Sequence, residues 1–278
     1  MSYDVTESAA SYKGKSEKPF REATSSYRID LVVTDSTATS YDFELRYTAP
    51  VPDPNADEFT RRISELSCDI PVRYRTSELG EFDTILNIVE LQKELALKLE
   101  ESKQILLETK GEEQLEIYNL IIAQMVKQFE DPAKVEALFM TDILMLHGYY
   151  GFQLQSGQPQ DIELYYPAII GDYVMLGTGK LTLGAISKPK DECSITATEK
   201  PNRDELKLCM ESMALVFMMD SGKKLSFEEL NMTMNTKRKM IMELSSGKMK
   251  SIVNTTTVKL TNKKGEQRKV ATRTYSCR

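Results

Sequence analysis

The side chains able to carry chemistry in this sequence are few and far apart. Its single histidine, His147, closes the segment PAKVEALFMTDILMLHG and is followed by Tyr149 and Tyr150. Any histidine-dependent nucleophile would have to use this residue, yet no GxSxG elbow or paired cysteine accompanies it. The expected role is structural, against the last carbonyls of its own helix. Cys68, Cys193, Cys209 and Cys277 form no CxxC pair, and no metal is expected. In an oxidising compartment the four could close two disulfides, and in a reducing one they stay thiols, two of them packed in a core. The stretch GDYVMLGTGKL hints at a phosphate loop. However, Val174 stands at the first glycine position and Leu181 where the magnesium-binding hydroxyl belongs, so a glycine-bearing hairpin between two strands is expected. The neighbours Glu100–Glu101, Glu112–Glu113 and Glu228–Glu229 point apart on helix or strand and cannot share a proton. No catalytic residue and no cofactor is assigned, and the protein is expected not to be an enzyme.

Binding chemistry is better represented. Met232 with Met234, and Met240 with Met242, alternate along two expected neighbouring strands, so each pair presents one apolar side. Covered by a helix, that side is core; left open, it is a groove for an acyl chain or a partner's apolar segment. The candidate ligand-binding residues are therefore Met232, Met234, Met240 and Met242, with Tyr165 and Tyr166 as aromatics at the rim.

Charge is polarised along the chain. Residues 221 to 278 hold 14 Lys and Arg against 4 Asp and Glu, a formal +10, although the whole chain is −6. Residues 78 to 143 hold 6 basic and 15 acidic residues, a formal −9. In the final strands basic residues alternate with threonine or apolar ones, as in Lys259, Thr261 and Lys263, which should line part of this charge along one sheet face. That face is either a solvated surface or a platform for something anionic, including peripheral membrane contact. Nucleic acid is not an expected partner, because no DNA- or RNA-binding signature accompanies the basic segment and the pI is near 5.2.

The elements that must position these residues follow from period and punctuation. YRIDLVV and SYDFELRYTAP alternate and form a hairpin, with Tyr41, Phe43, Leu45 and Tyr47 on one side. EFTRRISELS is one or two helical turns, and DIPVRYRT and EFDTILN are strands joined by a turn at Ser77 to Gly80. Asn87 is expected to cap the next helix, with Glu90 completing a capping box and Ile88, Leu91, Leu95, Leu99 and Leu106 on its inner stripe. A second helix follows Gly111, and a third starts at Asp131–Pro132 and ends at Gly148, with Val135, Leu138, Phe139, Asp142 and Leu146 at helical spacing. Strands return with DIELYYPAII, YVMLG, KLTLGAIS and SITATEK, PNRDELKLCMESMALVFMM reads as a helix, and the remainder reads as strands around Gly247 and Gly265. Residues 1–26 are polar, lack a signal-peptide core and are expected to be a flexible segment ahead of a single domain over 27–278.

PVRYRTSELGEFDTILNIVEL resembles a segment of uncharacterised envelope proteins of Gram-negative gut bacteria, in which a strand, a glycine turn and an Asn lead into a long helix. The ending MIMELSSGKMKSIVNTTTVKL is similar to the last strands of that group and to the half-barrels of bacterial lipoprotein carriers. The resemblance implies an exported, non-enzymatic protein. Together these readings predict an α+β fold: a curved, half-barrel-like antiparallel sheet, built from both ends of the chain, around a helical insertion at 88–147. The expected function is to hold a lipid-like ligand against that sheet. The alternative is an immunity- or adaptor-type factor that binds one protein partner through its acidic helices. The expected location is the periplasm or cell envelope if an export signal has been removed, and the cytoplasm otherwise.

Overall fold

The fold was established from a computed structural model, which describes residues 1–109, 112–167, 174–208, 231–262 and 265–278. Alternation dominates the sequence, and eleven strands result. They are β1 (Ser2–Lys13), β2 (Arg21–Ser36), β3 (Ser40–Val51), β4 (Val72–Ser77), β5 (Phe82–Ile85), β6 (Gln160–Pro167), β7 (Val174–Ser187), β8 (Glu192–Pro201), β9 (Asn231–Glu243), β10 (Met249–Asn262) and β11 (Gly265–Cys277). The helices are α1 (Glu58–Glu65), α2 (Ile88–Thr109), α3 (Glu112–Phe129) and α4 (Pro132–His147). The strands make one antiparallel sheet in the order β5-β4-β3-β2-β1-β11-β10-β9-β8-β7-β6, so the two ends of the chain do meet in one sheet of an α+β protein.

The chain divides into two compact units where a single domain was expected. The first comprises Met1–Val5, Ser25–Phe152 and Cys277–Arg278, and the second Thr6–Thr24 and Gln153–Ser276. Residues 1–26 are a correction to the sequence reading, since they form β1 and the start of β2 rather than an unpaired polar segment. Their polar side chains did not prevent pairing because backbone groups make the ladder. In the first unit Arg278 N–H donates to Ser2 O at 2.9 Å, and in the second Gly14 N–H donates to Glu266 O at 2.7 Å.

In the first unit the pleat sorts side chains cleanly. Phe43, Leu45, Tyr47, Val72 and Tyr74 are buried with Ile29 and Leu31. On the opposite face Asp42 takes both arms of Arg75, at 2.7 and 2.9 Å, which holds its carboxyl below the usual range. Of the apolar stripe of α2, Leu91, Leu95 and Leu99 are fully buried and Ile88 is half-buried, while the side chain of Leu106 lies outside the described residues; α4 buries Val135, Phe139, Ile143 and Leu146 but leaves Leu138 exposed. Asp131 caps α4 by accepting from Ala133 N–H at 2.9 Å, with Pro132 in the first turn and Gly148 closing the end, as the spacing predicts. The β4–β5 turn is also as expected: Gly80 takes φ +85°, and a Cβ there would meet the Tyr150 ring at 3.0 Å.

Asn87 departs from expectation. Its side chain is buried and accepts from Arg73 N–H at 2.9 Å while donating to Pro71 O at 2.8 Å, so it ties the start of α2 to β4 instead of capping the helix. Glu90 pairs with the Arg73 guanidinium rather than reaching back. The amide wins because the edge of β4 offers it a donor and an acceptor together, and a cap needs only an acceptor. Asn87→Ala should lower the unfolding free energy in urea by about 2 kcal/mol with an unchanged m-value, the cost of leaving two partly buried backbone groups unpaired.

Candidate anion-binding groove and a buried histidine

His147 is the natural starting point because it is the sole imidazole. Its Nε2 lies 2.7 Å from the Tyr74 hydroxyl and its Nδ1 3.1 Å from the Gly80 carbonyl. A carbonyl only accepts, so Nδ1 carries the proton and Nε2 accepts from Tyr74. The partner is the β4–β5 turn, not the last carbonyls of its own helix as the sequence suggested. Phe43, Tyr74 and Tyr150 surround the ring, and burial lowers its pKa to about 4. One turn earlier, the buried Asp142 carboxylate accepts from Tyr47 Oη at 2.9 Å and Tyr27 Oη at 3.0 Å. With both nitrogens engaged and the ring buried, His147 locks α4 to β4. Cys68 and Cys193 are buried free thiols and Cys277 is a half-buried one; burial pushes the Cys68 thiol up to about 11. Cys209 lies outside the described residues. Among the described residues no cluster of three metal-ligating side chains is formed, and no helix is long and apolar enough to cross a membrane.

The second unit holds an open groove of about 1190 Å³ across β6 to β10. Register assembles it. On one rung Asp161 stands opposite Lys180, Lys180 opposite Thr198, Thr198 opposite Lys237, and Lys237 opposite Thr255. On the next rung Glu163, Thr178 and Lys200 follow one another across β6 to β8, with Asn235 opposite Thr257 further along. A third brings Thr196, Lys239 and Val253 together. Rungs are about 6.7 Å apart along a strand and neighbouring strands about 4.8 Å apart, so the root of Lys237 lies roughly 7 Å from that of Lys239 and roughly 8 Å from that of Lys200, while Lys200 and Lys239, two rungs apart, are about 14 Å from each other. Lys180 pairs with Asp161 at 3.6 Å, whereas these three lysines have no carboxylate within ion-pair reach among the described residues. Lysine stems, threonine methyls and Val253 make an apolar floor beneath ammonium heads. Gly179 allows β7 and β8 to approach, since a Cβ there would come 2.7 Å from Thr198 O. VMLG and KLTLGAIS are thus a single strand, β7, not a glycine hairpin, and Tyr173 lies outside the described residues.

The six residues singled out from the sequence divide between the two faces. Met232, Met234, Met240 and Met242 lie on one strand, β9, rather than on two, because NTKR continues the pleat instead of turning. All four occupy the face opposite the lysines. Met240 is 1% exposed beside Ile195 and Ile252, and Met232 and Met234 pack on Met175 and Leu206. Between the methionine pairs lies a buried ion pair, Arg238 to Glu199 at 3.4 Å, with Arg238 Nε donating to Asn254 at 3.1 Å. Tyr165 is on the lysine face, 64% exposed, in register with Leu176, itself 47% exposed; the backbone of Tyr166 pairs with Met175 on the other parity. The helix expected from PNRDELKLCMESMALVFMM begins, at residues 203–208, and its remainder, with Met210, Met213 and Phe217, lies outside the described residues. Sequence reasoning missed Lys180, Lys200, Lys237 and Lys239 as a group. The signal that pointed their way was the Lys–Thr alternation, read only at Lys259 to Lys263.

No family model and no curated protein matches the sequence. Among solved structures it is similar to lipovitellin, from work on lipid–protein interactions in that protein, with a TM-score of 0.40 and 14% identity over 99% of this chain. It spans about a quarter of the length of the lipovitellin chain, 25%.

The histidine makes a pH prediction. Its folded pKa, about 4, lies below the ordinary 6.5, so the unfolded chain takes up the proton first as pH falls. Its contribution is complete above pH 6.5 and is lost as pH drops toward 4, by about 3 kcal/mol. Urea titrations of the wild type and His147→Gln between pH 7 and 4 should show the gap between the two proteins narrowing by that order.

Proposed function

We propose that the protein is a non-enzymatic binding protein whose ligand is a lipid-like amphipathic anion held in the groove of the second unit. The observation that carries this reading is the set of Lys200, Lys237 and Lys239, none within ion-pair reach of a carboxylate among the described residues, above a floor of threonine methyls and Val253. A phosphate or carboxylate head gains from several ammonium groups at once, while a chain lying toward Leu176 and Tyr165 covers their exposed apolar surface. An alkyl chain contributes about 0.8 kcal/mol per buried methylene, so even a partly covered chain outweighs the modest worth of each exposed ion pair. The chain need not enter the methionine face, where Met240 is already packed. The envelope is the setting in which such a ligand is met, in keeping with the two stretches that resemble envelope proteins.

Native mass spectrometry with lysophosphatidic acid as the probe should show one-to-one binding, with the neutral monoacylglycerol of equal chain length bound at least tenfold more weakly. Lys237→Gln with Lys239→Gln should weaken the acidic probe by about thirtyfold, at roughly 1 kcal/mol for each of two exposed pairs lost, without changing thermal stability. Equal binding of both probes, or none, would remove the reading.

A second reading rests on α2. Its outward face exposes Val89 and Leu97 among Glu90, Glu94, Glu100 and Glu101, a surface suited to a basic partner with apolar anchors. Leu97→Glu should abolish capture of one stoichiometric protein from the native host if that reading holds, and leave lysophosphatidic acid binding intact.

A further inference from the structure

The hairpin joining β1 to β2 in the second unit has a composition unlike the rest of the surface. Residues 13–21, KGKSEKPFR, carry Lys13, Lys15, Lys18 and Arg21 against Glu17 alone, a formal +3. The tip is ordered. Gly14 takes φ +56° and donates to Glu266 O at 2.7 Å, Lys18 N–H donates to Ser16 Oγ at 3.2 Å, and Phe20 N–H donates to Ser11 O at 2.8 Å. Yet Lys13 to Lys18 are solvent-exposed, and Phe20, after Pro19, is 55% exposed with the Lys13 ammonium 4.9 Å from its ring centre.

The same end of the sheet receives more charge from β10 and β11. Arg268 lies 4.4 Å over the Tyr12 ring, and Lys259 stands opposite Arg268 with Lys269 beside it. Among the described residues there, the carboxylates are Glu17, Glu22 and Glu266, against Lys13, Lys15, Lys18, Arg21, Lys259, Arg268 and Lys269. An exposed phenylalanine ringed by lysines on a hydrogen-bonded turn costs apolar hydration in water and has a natural destination at a lipid headgroup boundary, where the ring inserts and the ammoniums meet phosphates.

We propose that this hairpin tip docks the protein onto an anionic bilayer surface, with Phe20 as the inserted residue and Lys13, Lys15, Lys18 and Arg21 as the electrostatic collar. The proposal stands independently of the groove, which uses other residues. A soluble polyanion would also meet the collar, but it offers no apolar layer for Phe20.

This 278-residue chain contains no tryptophan, so Phe20→Trp within it introduces a single indole reporter. With vesicles of phosphatidylcholine containing about 30 mol % phosphatidylserine, its emission should shift to the blue and its quenching by acrylamide should fall, with no change on pure phosphatidylcholine. Adding Lys15→Glu and Lys18→Glu, both on exposed sites, should weaken vesicle affinity at least tenfold while far-ultraviolet circular dichroism stays unchanged. Lys237→Gln with Lys239→Gln should leave docking intact, which separates failure of this proposal from failure of the groove. An indole that keeps its water-exposed emission on anionic vesicles overturns the proposal. So does binding to heparin without any shift on vesicles, which would assign the tip to a soluble polyanion.

Discussion

The two-residue period of the β-strand is the constraint on which the second unit depends. Once β6 to β10 are in register, every side chain belongs to one of two faces, and a slip of one residue would exchange them. Lys237 and Lys239 would then enter the interior, and Met240 would face water. The buried Arg238–Glu199 pair, with Asn254 bonded to Arg238 and Thr236 to Thr256 at 3.0 Å, is satisfied in the register observed. Such a pair adds little net stability over an apolar pair, because desolvation offsets the attraction. Its value lies in direction. These polar groups need specific cross-strand neighbours, and meeting that need holds the lysines outward.

The first unit uses the same alternation for a different end. One face of β2 to β4 is apolar and receives α4, with Asp142 and His147 each placed opposite tyrosines of the sheet. The hydroxyls satisfy groups that would otherwise be costly to bury, and the neutral imidazole fits where an imidazolium would not. The other face is charged, with Asp42–Arg75 and Glu44–Arg46 lying along it. The first unit thus spends its one histidine on packing.

Much of the helical region was legible because its cues are local. Leucines at helical spacing, Asp131–Pro132 and Gly148 mark α2 and α4 without reference to distant residues, and the β4–β5 turn announces itself through Gly80. The groove was not legible for the opposite reason. Lys180, Lys200, Lys237 and Lys239 come from three strands, and their proximity is a product of register that no window along the chain contains. Arg238 misled in a particular way: a charge in mid-strand reads as a turn or surface residue, and the partner that justifies its burial, Glu199, is remote in sequence. β1 was missed because its alternation is shallow, with Tyr3 and Val5 as its fully buried side chains.

The central claim is that ligand binding belongs to the lysine and threonine face of β6 to β10 and not to the methionine face. The most direct measurement is photo-crosslinking with an anionic lipid whose chain bears a diazirine, followed by peptide mapping. The account predicts adducts on the odd-numbered positions of β9 and β10 around Asn235, Lys237 and Thr255 and the even-numbered positions of β7 and β8 around Thr178 and Lys200. Adducts concentrated on Met232, Met234, Met240 and Ile252 would contradict it.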